Sequence, residues 1–335
     1  MSYPVLSGRA AIVVVVVVAA LLALPAAAQA PSPGPRTGAL MVYDAARRQV
    51  LLFGGVAADE GGQGEPYPDD LWAWDGKSWR VLPVPAGAAR PVGRDVPHLA
   101  YDAARQRVVM FGGRRGRGPD GRVELLSDSW EWDGARWHEI RDAGLPNVIH
   151  AATWYDPVRR RVGMYGGITH AGLSRTLSEW DGAHWVARDS AGPASPVAGA
   201  AVAPSGEVIL LMMQSGRAED SVASRVWLWD GASWTRGEEG PAVTSLQPAA
   251  GAPDGTLYLL QSWGPSWLSS ASTYVRDARG AWTRVATTAS PGVRSTVAAA
   301  YDAGRRRLVV YGGWVRGQPV LGDTWEFDGK EWARR

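Results

Sequence analysis

The residues of this sequence that could do chemistry recur at fixed spacing. Aspartate precedes glycine in five segments of the form Trp-Asp-Gly-x-x-Trp or Phe-Asp-Gly-x-x-Trp, which begin at Trp74, Trp132, Trp180, Trp229 and Phe327. A row of carboxylates could hold calcium or act as acids and bases. Aspartate followed directly by glycine is, however, the expected former of a two-residue hairpin turn. The same aspartate recurs at five separate turns, which indicates a role in forming each turn and not one shared catalytic or metal site. We therefore assign these residues to turns.

Arginine supplies the candidates for binding an anion. Arg114, Arg115 and Arg117 form a short cationic segment that suits a carboxylate or a sulfate. Runs of this kind are more often solvated loops. Arg294 is a further candidate. We predict these four arginines as ligand-binding residues.

Histidine and cysteine bear on metal binding. His98 and His150 begin predicted strands that face one rim, and His170 lies in a loop, but the three show no metal-ligand spacing. The chain has no cysteine, which excludes disulfides and thiolate metal sites. The sequence therefore predicts no metal and no cofactor, and it leaves His150 as a candidate ligand contact.

Tryptophan is unusually frequent, with 18 residues. Fourteen of them occupy repeated strand positions, and we assign these to packing. Trp263, Trp267 and Trp314 lie off the pattern, in predicted loops. Exposed rings there could stack on a sugar face or a peptide side chain, or they could fold back and fill space.

These residues belong to a repeat. Trp137, Trp185 and Trp234 close successive segments and are 48 and 49 residues apart. A second segment runs from Tyr-Asp through a basic turn and an apolar run to Gly-Gly. Repeats 4 and 5 keep only the apolar run, with Met212-Met213 and Gln261-Ser262 in place of Gly-Gly. The six repeats span approximately 36–83, 94–141, 148–189, 196–238, 246–286 and 293–335.

Each repeat contains four strand candidates, A to D, and the turn residues between them predict antiparallel order. Such units pack face to face around an axis. The apolar run with Gly-Gly, the aromatic of strand C and the tryptophan of strand D resemble kelch repeats over 36–335. The resemblance implies an all-β, six-bladed kelch-type β-propeller with four antiparallel strands per blade. Kelch rings usually share one blade between both chain ends, but these repeats run in phase, so closure rests on blade packing or on a rearranged terminus.

Three families with a similar fold were compared with the chain. Galactose-oxidase-like copper enzymes use a tyrosine linked to cysteine, and cysteine is absent here. Nitrile-specifier proteins resemble this chain at Glu124 and Asp128 of their Glu-x-x-x-Asp-x-x-x-His iron motif, but Trp132 replaces the histidine. Sialic-acid epimerases are also exported six-bladed kelch proteins, although no motif transfers a catalytic residue.

Two functional hypotheses follow, both placed on the face formed by the B to C loops and the D to A links. The first is a noncatalytic protein- or glycan-binding module, monomeric by default. The second is a carbohydrate-active enzyme with a pocket at the channel mouth. Clustering of certain ionisable residues around one pocket would favour the enzyme, namely Arg36, Arg94, Arg294, Asp128 and His150. The net charge of +2 argues against nucleic acid as a partner.

Residues 1–30 have the three parts of a secretory signal. Arg9 precedes an apolar run over 10–24, and Ala28-Gln29-Ala30 provides small residues for cleavage. The run of 15 residues is shorter than the roughly 20 that span a bilayer. We expect a secreted or periplasmic protein, 31–335, that is not inserted in a membrane after cleavage.

This expectation is tested by expressing the chain with its own N-terminus in a bacterial host and sequencing the exported protein from its amino end. Sequencing should begin at Pro31. Ala30→Arg should block processing, because the cleavage site requires small residues. An exported wild-type protein that still begins at Met1 would contradict the prediction.

Overall fold

The structure, a computed structural model, describes nine stretches of the chain. The secondary-structure elements within these stretches are all β-strands. The described residues include no helix long and apolar enough to cross a membrane. Residues from Pro31 to Arg335 form one compact unit. The predicted signal segment lies outside the described residues. The described ranges are 31–57, 67–117, 121–144, 147–189, 191–213, 222–243, 249–263, 270–315 and 317–335.

The first three repeats each contribute six strands. Repeat 1 contains β1 (Arg36–Thr37), β2 (Leu40–Asp44), β3 (Gln49–Phe53), β4 (Val56–Ala57), β5 (Leu71–Trp74) and β6 (Trp79–Leu82). Repeat 2 contains β7 (His98–Asp102), β8 (Arg107–Phe111), β9 (Arg114–Arg117), β10 (Val123–Leu125), β11 (Ser129–Trp132) and β12 (Trp137–Ile140). Repeat 3 contains β13 (Ala152–Asp156), β14 (Arg161–Tyr165), β15 (Ile168–Thr169), β16 (Gly172–Leu173), β17 (Leu177–Trp180) and β18 (Trp185–Asp189).

The last three repeats each contribute four strands. Repeat 4 contains β19 (Val197–Val202), β20 (Val208–Met213), β21 (Val222–Trp229) and β22 (Trp234–Val243). Repeat 5 contains β23 (Ala249–Gly251), β24 (Leu257–Trp263), β25 (Ser270–Arg276) and β26 (Trp282–Val285). Repeat 6 contains β27 (Ala298–Asp302), β28 (Arg307–Tyr311), β29 (Thr324–Phe327) and β30 (Trp332–Arg334).

Small antiparallel sheets stand in a propeller-like arrangement, with the predicted strand order A, B, C, D. Repeats 1, 2, 3 and 6 form separate four-stranded sheets, ordered β2-β3-β5-β6, β7-β8-β11-β12, β13-β14-β17-β18 and β27-β28-β29-β30. The prediction of six separate sheets requires correction. Repeats 4 and 5 form one eight-stranded sheet, ordered β22-β21-β20-β19-β23-β24-β25-β26.

The merger of repeats 4 and 5 follows from small residues in their innermost strands. β19 and β23 pair in parallel, Gly199 with Ala249 and Ala200 with Ala250. A Cβ added at Gly199 would lie 2.3 Å from the Ala249 carbonyl oxygen, and one at Gly251 would lie 2.5 Å from that of Ala200. The two backbones therefore approach closely enough to share hydrogen bonds, which larger residues would prevent.

Gly-Gly ends strand B wherever it occurs. Both glycines take positive φ angles, for example 75° at Gly54 and 93° at Gly55, and residues with a Cβ rarely adopt this conformation. Repeats 4 and 5 lack Gly-Gly, and there β20 and β24 continue for 6 and 7 residues instead of 5. The loss of Gly-Gly therefore lengthens the B to C hairpin.

The closing tryptophans pack between consecutive repeats, as predicted. Trp137 meets the edge of Phe53 at a ring-centroid distance of 5.7 Å, and Trp185 meets Phe111 at 4.4 Å. Trp79 of repeat 1 meets Tyr311 of repeat 6 in the same T-shaped geometry at 5.2 Å. The contact between the first and last repeats thus reproduces the contact between sequential neighbours.

Backbone hydrogen bonds also join the last repeat to the first. The amide of Gly38 donates to the Thr296 carbonyl over 2.9 Å, and the amide of Gly313 donates to the Arg36 carbonyl over 3.0 Å. The Thr37 and Thr296 hydroxyls form a hydrogen bond with each other. Each sheet of repeats 1 and 6 comes from one continuous segment, so packing and the segment before β2 join these repeats without strand exchange.

A buried aspartate at the end of strand A organises the next contact. Asp102, 4% exposed, binds the Arg105 side chain, whose guanidinium then donates to the Gly182 carbonyl in the C to D turn of repeat 3. We call this unit the Asp–Arg clasp. Equivalent clasps link repeats 1 to 2 and 3 to 4, through Arg47 and Arg159. At the junction of repeats 6 and 1, Arg305 binds Asp302 and lies against Gly76 of the C to D turn.

The arginine lies against the glycine of the Asp-Gly turn, which has a positive φ angle whether or not an arginine is present. A Cβ added to Gly76 would clash with the Arg305 guanidinium, and one added to Gly134 would clash with that of Arg47. Gly329 has no atom within 4 Å of such a Cβ. The difference is expected, because repeat 5, which precedes Gly329, has no arginine at the clasp position.

Removing a clasp should lower stability. Asp102→Ala removes one carboxylate partner of the Arg105 guanidinium, which keeps Glu131, and also removes the acceptor of the Arg105 amide. We expect the free energy of unfolding to fall by about 2 kcal/mol in chemical denaturation. The matched control is Asp254→Ala, since exposed Asp254 accepts, among the described residues, one hydrogen bond, from the turn amide of Thr256. Equal losses in the two variants would contradict the clasp.

Candidate functional site

The innermost strands of all six repeats surround a central cavity of about 550 Å³. Its wall is mostly alanine, glycine and aliphatic side chains, so the cavity is apolar along its length. Residues at both ends of the innermost strands line it. We call the end near Gly38 and Thr296 the loop-face mouth and the end near Tyr43 and Tyr301 the turn-face mouth.

The loop-face mouth is built from one repeated backbone position. Gly38, Val96, His150 and Thr296 each precede the innermost strand of their repeat and line the cavity, with φ angles of 69°, 44°, 56° and 49°. Only one of the four is glycine. A left-handed conformation is unfavourable for a β-branched residue and costs on the order of 1 kcal/mol or more. Val96 and Thr296 therefore store strain at the mouth.

Two neutral imidazoles lie at this mouth. His98 is 2% exposed and stacks on Phe111, and burial lowers its pKa to about 4. His150 lies near it, and burial together with Arg114 lowers its pKa to about 4. The Val148 carbonyl is close to His98 and opposes the shift, but neither ring nitrogen of His98 has a partner with good hydrogen-bond geometry among the described atoms. His150, which is only partly buried, thus offers an uncharged imidazole to a ligand, whereas the ring of His98 is enclosed.

Arg114 links this mouth to the predicted cationic segment. Its side chain binds buried Asp95 over 2.6 Å, and its backbone pairs with that of Asp95. Arg115 and Arg117 are exposed on the short β9–β10 hairpin, and Arg117 donates to the Gly121 carbonyl. The structure therefore brings Arg114 and His150 together and leaves Arg115 and Arg117 on a projecting hairpin.

Of the three tryptophans predicted as ligand contacts, the structure describes the side chain of Trp314. Trp314 is 41% exposed, and its backbone pairs with Ser295 next to the loop-face mouth. Trp263 ends β24, and its side chain lies outside the described residues, as does all of Trp267. Trp314 is thus the tryptophan that the described structure offers to a ligand at this face.

The arginines of the enzyme hypothesis are buried within their own repeats. Arg94 is 0% exposed and binds Asp128 and the Gly112 carbonyl, and Arg294, 4% exposed, binds Asp323 and the Gly312 carbonyl. Arg36 makes the equivalent contacts with Asp70 and Gly54. In each of these repeats the arginine thus fixes the backbone at the first glycine of Gly-Gly. Among the five residues whose clustering would favour an enzyme, only His150 lines the cavity in the described structure.

The hairpin aspartates hold turns. Asp181 accepts hydrogen bonds from the amides of Ala183 and His184, both at 2.8 Å, and these bonds hold its pKa below the ordinary value. Asp75, Asp230 and Asp328 do the same in their repeats. Among the described residues there is no group of three or more His, Asp or Glu side chains arranged to hold a metal ion.

Sequence reasoning missed the loop-face mouth as a repeated feature. Its residues differ in type, so Gly38, Val96, His150 and Thr296 show no motif. Their alignment nevertheless follows from the repeat, because each stands five residues before the tyrosine of Tyr-Asp. The constant spacing was the available signal.

Comparison with known proteins supports the fold. No protein-family model matches the chain, and no curated protein matches it. A solved structure described as "Structure of YjhT", a β-propeller-type protein, is similar with a TM-score of 0.61 and 16% sequence identity. The match covers 91% of this chain and 99% of that chain. At this identity the likeness shows the propeller-like fold alone.

Burial of His98 predicts a pH-dependent stability. Its pKa is about 4 in the folded protein and about 6.5 when exposed, so between these values the unfolded chain binds a proton that the folded chain excludes. Burial of His98 therefore does not reduce the free energy of unfolding above pH 6.5, and it reduces it progressively as pH drops toward 4. Between pH 6.5 and pH 4, we expect the free energy of unfolding of wild type to fall further than that of His98→Phe, by on the order of 2–3 kcal/mol.

The measurement is chemical denaturation at a series of pH values, with wild type and variant compared at each. His184→Gln, a change at an exposed turn, is the control and should follow wild type. Parallel curves for wild type and His98→Phe would contradict the assignment.

Proposed function

We propose that the chain is an exported, six-bladed kelch-type propeller that acts as a noncatalytic binding module for a glycan or protein ligand. In this proposal the two halves of the eight-stranded sheet count as two blades. Six hydrophobic clusters, one between each pair of consecutive repeats including the sixth and the first, support that count. The ligand binds the loop face around the loop-face mouth.

The strained backbone at that mouth is the main support. Glycine stands at the left-handed position in repeat 1, yet Val96, His150 and Thr296 occupy it in three others. Glycine would fill this position without strain. A larger residue that is strained here indicates that its side chain has a function. Because all three line the cavity, their use is contact with whatever enters it.

The chemistry of the mouth favours a neutral polar ligand with an apolar face. Trp314 presents an aromatic face, the Thr296 side chain supplies a hydroxyl, and His150 provides an imidazole that is uncharged at neutral pH. Arg114 is already paired with Asp95. A sugar ring, which combines an apolar face with hydroxyl groups, matches this set, and we take a glycan as the first candidate.

The alternative is a carbohydrate-active enzyme of the epimerase type with its pocket at this mouth. The observation in its favour is the pair of neutral imidazoles, since a neutral imidazole can accept a proton. A pKa of about 4 makes both rings weak bases near neutral pH, and buried Arg36, Arg94 and Arg294 are bound to carboxylates inside their repeats. Binding without turnover is therefore the preferred function.

The test is a panel of immobilised glycans probed with purified protein and with Trp314→Ala. We expect binding to a defined sugar and a loss of affinity of about tenfold or more in the variant, because a stacking ring is removed. Val158→Ala is the matched control, since Val158 is 57% exposed on the turn face. No binding to any glycan would contradict the glycan form of the proposal.

Any sugar that binds should then be incubated with the protein and followed by nuclear magnetic resonance. Unchanged sugar signals are expected of a binding module. Conversion that is lost in His150→Ala would contradict the noncatalytic function and establish the enzyme.

A further inference from the structure

Three exposed arginines occupy one repeated position on the face opposite the proposed glycan site. Arg48, Arg160 and Arg306 are the last residues of the A to B turns in repeats 1, 3 and 6, with φ angles of 54°, 55° and 54°. Gln106 holds the same position in repeat 2, with φ of 54°. Glycine would be free of strain here, so the arginines are kept against a conformational cost.

These arginines are not neutralised. None of the three forms an ion pair with a carboxylate of the described residues, whereas the neighbouring Arg47, Arg105, Arg159 and Arg305 are bound in clasps. The aspartates closest in sequence are committed to the clasps and to turn amides. The A to B turns of repeats 1, 3 and 6 therefore present unpaired positive charge.

Tyrosines that line the turn-face mouth lie near two of these arginines, Tyr43 near Arg48 and Tyr155 near Arg160. The Tyr101 hydroxyl accepts a hydrogen bond from the Ala46 amide over 3.0 Å, and Tyr155 accepts one from Ala104 over 3.1 Å. A hydroxyl that accepts these bonds still has its own proton to donate. The turn face thus combines guanidinium groups on its A to B turns with hydroxyl donors at the mouth, and both types of group bind acceptors with negative charge.

Among the A to B turns, the unpaired arginines lie on one side of the ring. Repeats 4 and 5 have no arginine in their A to B turns and carry Glu207 and Asp254 instead. An anion is therefore drawn toward the side formed by Arg48, Arg160 and Arg306, which gives the site a direction.

We propose that the turn-face mouth binds a small soluble ligand bearing phosphate or sulfate groups, through Arg48, Arg160, Arg306 and the hydroxyls of Tyr43, Tyr101 and Tyr155. Guanidinium matches the geometry of tetrahedral oxyanions and binds them through paired hydrogen bonds. The tyrosines lining the cavity contact the body of the ligand. This site is separate from the loop-face mouth and does not depend on the proposed glycan function.

The test is isothermal titration of the full protein with inorganic pyrophosphate and with a heparin-derived disaccharide, at an ionic strength of about 0.15 M. The variant combines Arg48→Gly, Arg160→Gly and Arg306→Gly. Glycine relieves the left-handed backbone, so the variant should fold as well as wild type. We expect its affinity for the bound probe to fall at least about tenfold.

Two controls separate the site from general effects. Gln106→Gly makes the same backbone change without losing charge, and a triple alanine variant at exposed Arg141, Arg236 and Arg334 loses the same charge elsewhere. Both should bind like wild type, as should Trp314→Ala. Tighter binding of pyrophosphate identifies a phosphate ligand, and tighter binding of the disaccharide identifies a sulfated sugar. The proposal would be overturned if neither probe bound, or if a control variant lost as much affinity as the triple glycine variant.

Discussion

The Asp–Arg clasp is the interaction on which most of the architecture depends. A buried carboxylate at the end of an innermost strand fixes an arginine, and the arginine reaches the C to D turn of the next sheet. The sheets of repeats 2 and 3 and the fourth repeat are each positioned in this way by the repeat before. Arg305, which lies against Gly76, extends the contact from the last repeat to the first. Repeats 4 and 5 lack the clasp, and the parallel pairing of β19 with β23 joins these two repeats instead.

Much of this could be predicted from the sequence because it repeats. The turn aspartates, the packing tryptophans and the four-strand order all follow from spacing, and the structure contains them. The merger of repeats 4 and 5 was missed, since it arises from small residues such as Gly199 and Ala249 meeting across a boundary between repeats. The clasp was missed because a buried aspartate and an exposed one look alike in sequence, as Asp102 and Asp254 show.

The candidate site was harder to predict for a related reason. Its residues come from different repeats and converge through the ring, so their distances do not follow from sequence spacing. Arg294 was predicted as a ligand contact and is buried against Asp323, whereas Val96 and Thr296 line the cavity and were not predicted. The same ring creates two unlike mouths, one with neutral imidazoles and strained side chains and the other with tyrosines beside unpaired arginines.

Closure of the ring between repeats 1 and 6 is the central claim, because both mouths exist only if the ring is closed. The chain has no cysteine, so the pair Thr37→Cys and Thr296→Cys would be the only thiols present. The two hydroxyls are in hydrogen-bond contact across the junction. Mild oxidation should therefore produce an intramolecular disulfide, read as a monomer without free thiol by mass spectrometry. Two persistent free thiols, or disulfide-linked dimers alone, would contradict the closed ring.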